Sequence, residues 1–581
     1  MPSYLHEAED FAELARHLSL LQPENSTYSN VEIASPPIFT QNAKHLALQR
    51  AKQTAEAGFT QYGLLAGVSA DSQTSRDIND AKSDPRLFYN VSTPSSVFIC
   101  GSQGSGKSHT LSCLLENCLV PSDANRLPRP LTGIVFHYDT FNSETGGTPS
   151  EAAFLSSSEK VKVRVLCAPT NRVKIEKIYG CLPNVVVEEF RIHESQLNTK
   201  RMLDLMAMGS VAGDSWPLYM HSVTRILRNM RLEQQVTGEE GFNYGDFKAR
   251  LTGESLIGSQ LGPLQQRLDA LESFMVSHQA TQTRLLTGQG KWAKNGTFRK
   301  SPKTVDNTWT PKAGQLTIVD LSCPCITDVM ACSLFNICLS LFLEQDSEVG
   351  RVVALDEAHK YMKDSVECAT LTESLLSTIR LQRHLAARVF ISTQEPTVSP
   401  KLLDLCSITI VHRFTSPDWL NTLRGHLAGA SNITGAVSAS NESGADGREV
   451  AMSPLIQVRG IEVMIAEIFA QIVSLRTGEA LLFAPNATIG VRMARRAIPE
   501  DKVDNSSPSS HAASETTVES WKSSKEPMRL SLSKLETEAG SSSDAEGDQY
   551  PSEAIQLASG VLKIFIRNRV TQDGGKSILA K

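Results

Sequence analysis

Between Ser96 and Phe483 the chain alternates short apolar runs with stretches of helical spacing. The runs are Val97–Cys100, Gly133–Tyr138, Val161–Leu166, Val185–Val187, Leu316–Leu321, Val352–Leu355, Val389–Ser392, Ile408–Val411 and Ala480–Phe483. They are short, bounded by turn residues and rich in Val and Ile. Unbroken apolar runs of this kind are expected of strands covered on both faces, as in a mainly parallel sheet. Alternation with helices predicts the α/β class. From about 190 to 312 the strand pattern stops. Val223, Ile226, Leu227 and Met230 recur at helical spacing, as do Leu261, Leu264, Leu268, Leu271 and Met275. This predicts a helical insertion within an α/β domain spanning 96–499.

The flanks read differently. Residues 1–95 are mixed, with helical spacing at Phe11, Leu14, Leu18 and Leu21 and again over Ala43–Ala57. They predict a partly helical lead-in and not a separate barrel domain. Residues 500–552 are dominated by Ser, Glu, Asp and Gly and bury too little surface to offset chain entropy, which predicts a disordered linker. In 553–581 the spacing of Ile555, Leu557, Val561, Leu562, Phe565 and Ile566 predicts a short amphipathic helix.

Composition narrows the function classes without choosing one. A chain of 581 residues has room for two to four domains. The net charge of −6 argues against nucleic-acid binding by bulk charge. The sequence holds no apolar run long enough for a membrane span and no basic-then-apolar start, so cytoplasm or nucleus is the expected location and no membrane the expected partner. The 11 cysteines make no CxxC pair; Cys323 and Cys325 flank a proline with no second pair to match, so ordinary thiols are expected.

One motif carries most of the chemistry. Gly101-Ser102-Gln103-Gly104-Ser105-Gly106-Lys107-Ser108 fits G-x-x-x-x-G-K-[ST] at every position, after a strand-like VFIC and before a helix-like HTLSCLLENCL that begins with His109. Such a loop wraps phosphate with backbone N–H groups, and the helix that follows presents its positive end. Lys107 is placed to reach the β- and γ-phosphates and Ser108 to offer a hydroxyl to Mg²⁺. A second GKS, at Gly575–Ser577, lacks the first glycine and reads as a tail segment.

A carboxylate pair supplies the other half. Asp356 and Glu357 end the apolar run RVVAL. The aspartate at such a strand end meets the metal, and the next glutamate orients and deprotonates water. Neighbours on a strand point to opposite faces, so both act together only where the alternation breaks. Ligands in open α/β sheets lie beyond the carboxyl ends of strands. Asp139, Asp320, Thr393 and Gln394 occupy such ends, and Gln394 is suited to contact the γ-phosphate or the attacking water. Arg383, with Arg380 and Arg413 behind it, is the candidate arginine finger offered to a neighbouring subunit. Lys291, Lys294, Arg299, Lys300, Lys303 and Lys312 are interleaved with Trp292, Phe298 and Trp309. A solvated insertion loop is the plain reading of that cluster, and a grip on phosphates with stacked bases is the alternative.

In order, VFICGSQGSGKSHTL, GQLTIVDLS, RVVALDEAHKYM, IRLQRHLAARVFISTQEP, ITIVHRF and TGEALLFAP resemble the HerA–FtsK superfamily of P-loop ATPases over most of 96–490. The resemblance implies a RecA/FtsK-like P-loop NTPase domain that binds ATP with Mg²⁺. It implies a homo-oligomer, by family habit a hexamer, that moves DNA or protein-bound DNA. It assigns Lys107 and Ser108 to phosphate and metal, Asp356 and Glu357 to metal and water, and Gln394 to a strand-tip sensor. Asp139 and Arg383 match an acidic residue after the second strand and a trans-acting arginine. The architecture suggests a eukaryotic, fungal relative. Neither an N-terminal barrel nor a DNA-reading winged helix is read in the sequence. That keeps open a second function: a nucleotide-dependent switch or assembly protein with slow hydrolysis and protein partners. The letters DEAH at Asp356–His359 invite a third, an RNA helicase. Their distance from the phosphate loop and the missing SAT and arginine-rich motifs argue against it.

Overall fold

The computed structural model describes residues 34–54, 58–69, 84–139, 147–206, 218–238, 241–254, 256, 258–276, 279, 307–346, 348–362, 365–424, 465–493, 552–558 and 560–574. Two units are distinguished: 1–490 with 554–581, and 491–553. Of the second, only residues 491–493 and 552–553 are described, so the linker expected there lies outside the described residues. The basic-aromatic cluster also lies outside them, except for Trp309 and Lys312. Trp309 is buried edge-on to Phe190, with the Arg164 guanidinium 6.0 Å from its ring, so it packs the core and offers no face to a base.

The strands are β1 (Ile38–Thr40), β2 (Tyr62–Val68), β3 (Arg86–Asn90), β4 (Ser96–Cys100), β5 (Asn125–Arg126), β6 (Thr132–His137), β7 (Lys162–Cys167) and β8 (Val185–Glu189). They continue with β9 (Gln315–Asp320), β10 (Arg351–Leu355), β11 (Ala387–Thr393), β12 (Ile408–Val411), β13 (Glu479–Phe483), β14 (Thr488–Met493), β15 (Ser552–Gln556) and β16 (Leu562–Ile566). All join one mixed sheet, ordered β15-β14-β1-β3-β2-β16-β13-β12-β4-β11-β10-β6-β9-β7-β8, with β5 paired to β2. From β12 to β8 every pairing is parallel. Each of the nine apolar runs is a strand, and β4 and β10 lie close together with only β11 between them.

Both faces of the parallel half are covered, which explains the unbroken apolar runs. On β4, Phe98 and Cys100 enter one core while Val97 and Ile99 enter the other. Helix α1 (Lys107–Leu119) packs the second face with Leu111, Leu114, Leu115 and Cys118. The first face is covered by α2 (Asp328–Leu343) and α3 (Val366–Arg380), and by the insertion helices over 199–274. Each large apolar side chain so buried contributes about 1.5–3 kcal/mol.

The flanks depart from expectation only in part: the helical spacing over 43–57 is met by a helix at Gln41–Thr54, but strands accompany it. Residues 38–90 supply β1, β2 and β3 to the same sheet. Among the described C-terminal residues, Ser552–Gln556 and Leu562–Ile566 form strands, not an amphipathic helix. In β16 the side chains of Leu562, Ile564 and Ile566 are buried while Lys563 is partly exposed and Phe565 exposed, a period of two. The strand lies between β13 and β2, both antiparallel to it. Partners so far along the chain decide the conformation over the local spacing.

Candidate active site

The phosphate loop joins β4 to α1. Gly106 has φ 113°, a conformation that side chains resist, and a Cβ at Gly101 would stand 2.7 Å from the Cβ of His412. Hydrogen bonds hold the loop shut. Ser102 donates from N and from Oγ to the Arg413 carbonyl, each at 2.8 Å, and Ser105 Oγ donates to the Ser102 carbonyl at 2.7 Å. No side chain caps the start of α1, so its first N–H groups stand ready for an anion. Lys107 is buried and donates from Nζ to the Ser102 carbonyl at 3.0 Å. Burial lowers its pKa, and the nearby Glu357 and Asp356 carboxylates offset part of that shift.

Asp356 follows the last residue of β10 and is buried. His137, at the end of β6, brings Nδ1 to 3.4 Å from Asp356 Oδ2, within reach of charge attraction but not aligned as a hydrogen bond. Burial presses the His137 pKa down. The Asp356 and Asp320 carboxylates outweigh it and hold the imidazole above its ordinary value. Glu357 adopts φ 50°, in the left-handed region, a conformation that costs a non-glycine residue about 1–3 kcal/mol. The alternation thus breaks at the strand tip, and both acids face one cavity. Gln394, following β11, donates from Nε2 to Glu357 Oε2 at 3.1 Å, and His359 Nε2 lies 3.5 Å from the same oxygen.

This cavity of about 620 Å³ is lined by Gln103, Ser108, His137, Asp139, Asp356, Glu357, His359, Lys360 and Gln394. Thr148, Pro149, Glu151, Phe154 and Gly574 complete the lining. Asp139 pairs with Lys360 Nζ at 3.3 Å. Asp320 is absent from the lining; its carboxylate accepts from Ser322 N at 3.0 Å, which is turn chemistry, and from Tyr179 Oη at 2.7 Å, which is a packing contact from a distant helix. Thr393 likewise donates to the Glu395 carbonyl at 3.1 Å. Arg380 and Arg383 are exposed ahead of β11, at the amino end of a strand whose carboxyl end meets the cavity. Seven strand residues span roughly 20 Å, so neither reaches this chain's own cavity. Arg413 is exposed beside the phosphate loop, which its carbonyl anchors. His109 turns away from the cavity, its Nε2 2.8 Å from the Arg567 carbonyl.

The sequence reading missed His137, Lys360, His412 and the C-terminal residues. His412 is buried under the loop, with Nδ1 3.0 Å from the Glu479 carbonyl and Nε2 2.9 Å from Thr110 Oγ1. These partners suit a neutral ring that donates from Nδ1 and accepts at Nε2. Burial pushes its pKa down to about 4. The folded protein therefore refuses a proton that the unfolded chain accepts near 6.5. The contribution is fully present above pH 6.5 and is lost as pH falls from there through 4, by about 3 kcal/mol in all. Denaturant melts from pH 7 to pH 4 are expected to show a shallower loss for His412→Asn than for the parent. Parallel losses would contradict the assignment.

The fold is that of a P-loop NTPase. It is carried by the strand–loop–helix at 96–119, the acids at the tip of β10 and the parallel strands between and beside them. No family model and no curated protein matches the sequence. Among solved structures the chain is similar to VirB4 of Thermoanaerobacter pseudethanolicus, at 12% identity, 73% of this chain, 93% of that chain and TM-score 0.35. It is similar to the bacterial conjugative coupling protein TrwBdeltaN70, at 13% identity, 68% of this chain, 84% of that chain and TM-score 0.33. A third is the genome packaging NTPase B204 from Sulfolobus turreted icosahedral virus 2 in complex with ATP-gammaS, at 9% identity, 67% and 92% coverage and TM-score 0.23. At these identities and TM-scores the likenesses assign no role to any residue here, and they leave the expectation of a fungal source unsupported. No helix among the described residues is long and apolar enough to cross a membrane.

Proposed function

We propose that the chain is a Mg²⁺-dependent ATPase of the HerA–FtsK kind, coupling hydrolysis to conformational work. The observation that carries this reading is the meeting of Ser108, Asp356, Glu357 and Gln394 around one cavity at the mouth of the phosphate loop. The loop N–H groups, the amino end of α1 and Lys107 hold the β- and γ-phosphates. Ser108 and Asp356 suit Mg²⁺: Asp356 Oδ1 is buried and without a hydrogen-bond partner among the described residues, and Ser108 lines the same cavity. Among the described residues no three His, Cys, Asp or Glu side chains are grouped to hold a metal. Mg²⁺ characteristically binds through few protein ligands plus substrate phosphates. When bound, Mg²⁺ supplies positive charge to the phosphate oxygens. Glu357 takes the proton of the attacking water. Gln394 orients the Glu357 carboxylate and, from a strand between the phosphate loop and the acids, passes the state of the site to the sheet.

By the resemblance in its motifs, the chain works as a ring of identical subunits, with Arg383 presented to the next subunit's cavity and DNA as the substrate moved. The exposure of Arg383 away from its own site is compatible with that use. The alternative is a nucleotide switch with slow turnover and protein partners. Steady-state ATP hydrolysis with and without double-stranded DNA, across a salt series, separates the two. The motor reading expects DNA to raise turnover and salt to erase the effect. Slow turnover indifferent to DNA supports the switch.

A further inference from the structure

After β16 the described residues 567–574 run across α1 and reach the nucleotide cavity. Glu116 of α1 is fully buried and anchors them. It accepts from Arg567 Nη1 at 2.8 Å, from Thr571 N at 2.9 Å and from Thr571 Oγ1 at 2.5 Å. Arg569 then bridges α1 to a turn that carries part of the cavity lining. Its guanidinium lies 3.8 Å from Glu116 on α1 and 3.1 Å from Glu151 on the turn Glu151–Ser157. Gln572 N donates to Ser157 Oγ of the same turn at 2.9 Å. Within it Gly574 lies close against the Phe154 ring: a Cβ there would stand 2.1 Å from Phe154 Cε2. Gly574, Phe154 and Glu151 line the same cavity as Ser108 and Asp356.

We propose that residues 567–574 are part of the nucleotide site. Arg569 is a positioning residue that sets the spacing between α1, which carries Lys107 and Ser108, and the cavity wall at that turn. Gly574 closes that wall through Phe154 and so sets affinity for Mg-ATP. The inference rests on the ATPase reading above. The buried anchor has no other evident use: an acid sunk in the helix behind the phosphate loop is compensated almost wholly by a segment more than four hundred residues later. Because a buried charge left without its partner is costly, these contacts fold as a unit with the loop's helix.

The decisive variant is Gly574→Val in the full chain, compared with Phe154→Ala, the double variant and Lys107→Ala, with thermal melts beside each. Gly574→Val is expected to raise the dissociation constant and KM for Mg-ATP about tenfold, which corresponds to about 1.4 kcal/mol, while changing kcat less. In the double variant the missing ring makes room, and affinity is expected to match Phe154→Ala alone. A purely structural role of the tail shifts the melt and leaves KM in place; that result, or parental affinity in Gly574→Val, overturns the inference. If Gly574→Val melts early, the double variant decides: affinity below that of Phe154→Ala counts against the wall. Loss of binding in Lys107→Ala with Gly574→Val unaffected sinks this inference alone. Unchanged binding in Lys107→Ala sinks the ATPase reading beneath it.

Discussion

Glu357→Gln is expected to lower kcat by about 10²- to 10⁴-fold while leaving Mg-ATP bound as tightly as in the parent. The substitution keeps the size of the side chain and its position at the left-handed tip of β10. It removes the basic oxygen that accepts a proton from water. Gln394 donates to that carboxylate at 3.1 Å, and an amide oxygen in its place still accepts the bond. The geometry of the site therefore survives and only the chemistry is lost. Single-turnover assays with radiolabelled ATP would separate binding from cleavage. Cleavage within a few-fold of the parent would remove Glu357 from the mechanism.

Lys107→Ala is expected to act earlier, on binding as well as turnover, by about 10²- to 10³-fold. Lys107 holds its charge in a place that disfavours it: it is buried, its pKa is lowered by that burial, and its nitrogen donates to a backbone carbonyl of its own loop. Phosphate oxygens replace that weak partner with full negative charge. The folded protein loses little when the side chain goes, since a desolvated cation goes with it, so melting is expected to hold while nucleotide affinity falls. Equilibrium binding of a fluorescent ATP analogue reads this directly, and parental affinity in the variant would contradict the placement.

The parallel half of the sheet was legible because each strand is short, apolar and covered on both faces, so Val97–Cys100 or Val352–Leu355 has no polar face to confuse the pattern. The added half was not. In β2, glycines and a register shift between Leu64 and Ala66 interrupt the alternation. Around β16, Val561, Leu562, Phe565 and Ile566 fall at spacings that also suit a helix. Only the pairing with β13 and β2 makes them a strand. The same division holds in the site. Gly101–Ser108 and Asp356–Glu357 are contiguous words whose chemistry is local. Gln394 was reachable from its place at a strand end, and the structure puts it on Glu357. His137 against Asp356, His412 beneath the loop and Gly574 against Phe154 are meetings of distant segments that no local pattern announces. Asp320 shows why a strand-end acid alone is weak evidence: it spends its oxygens on Tyr179 and Ser322.

The most direct test of the central claim is steady-state ATP hydrolysis by the purified chain in Mg²⁺, with Lys107→Ala and Glu357→Gln measured in parallel. The account predicts turnover in the parent that disappears in both variants, with binding lost in the first and kept in the second. Hydrolysis that persists in both, or a parent that neither binds nor cleaves ATP, would contradict it.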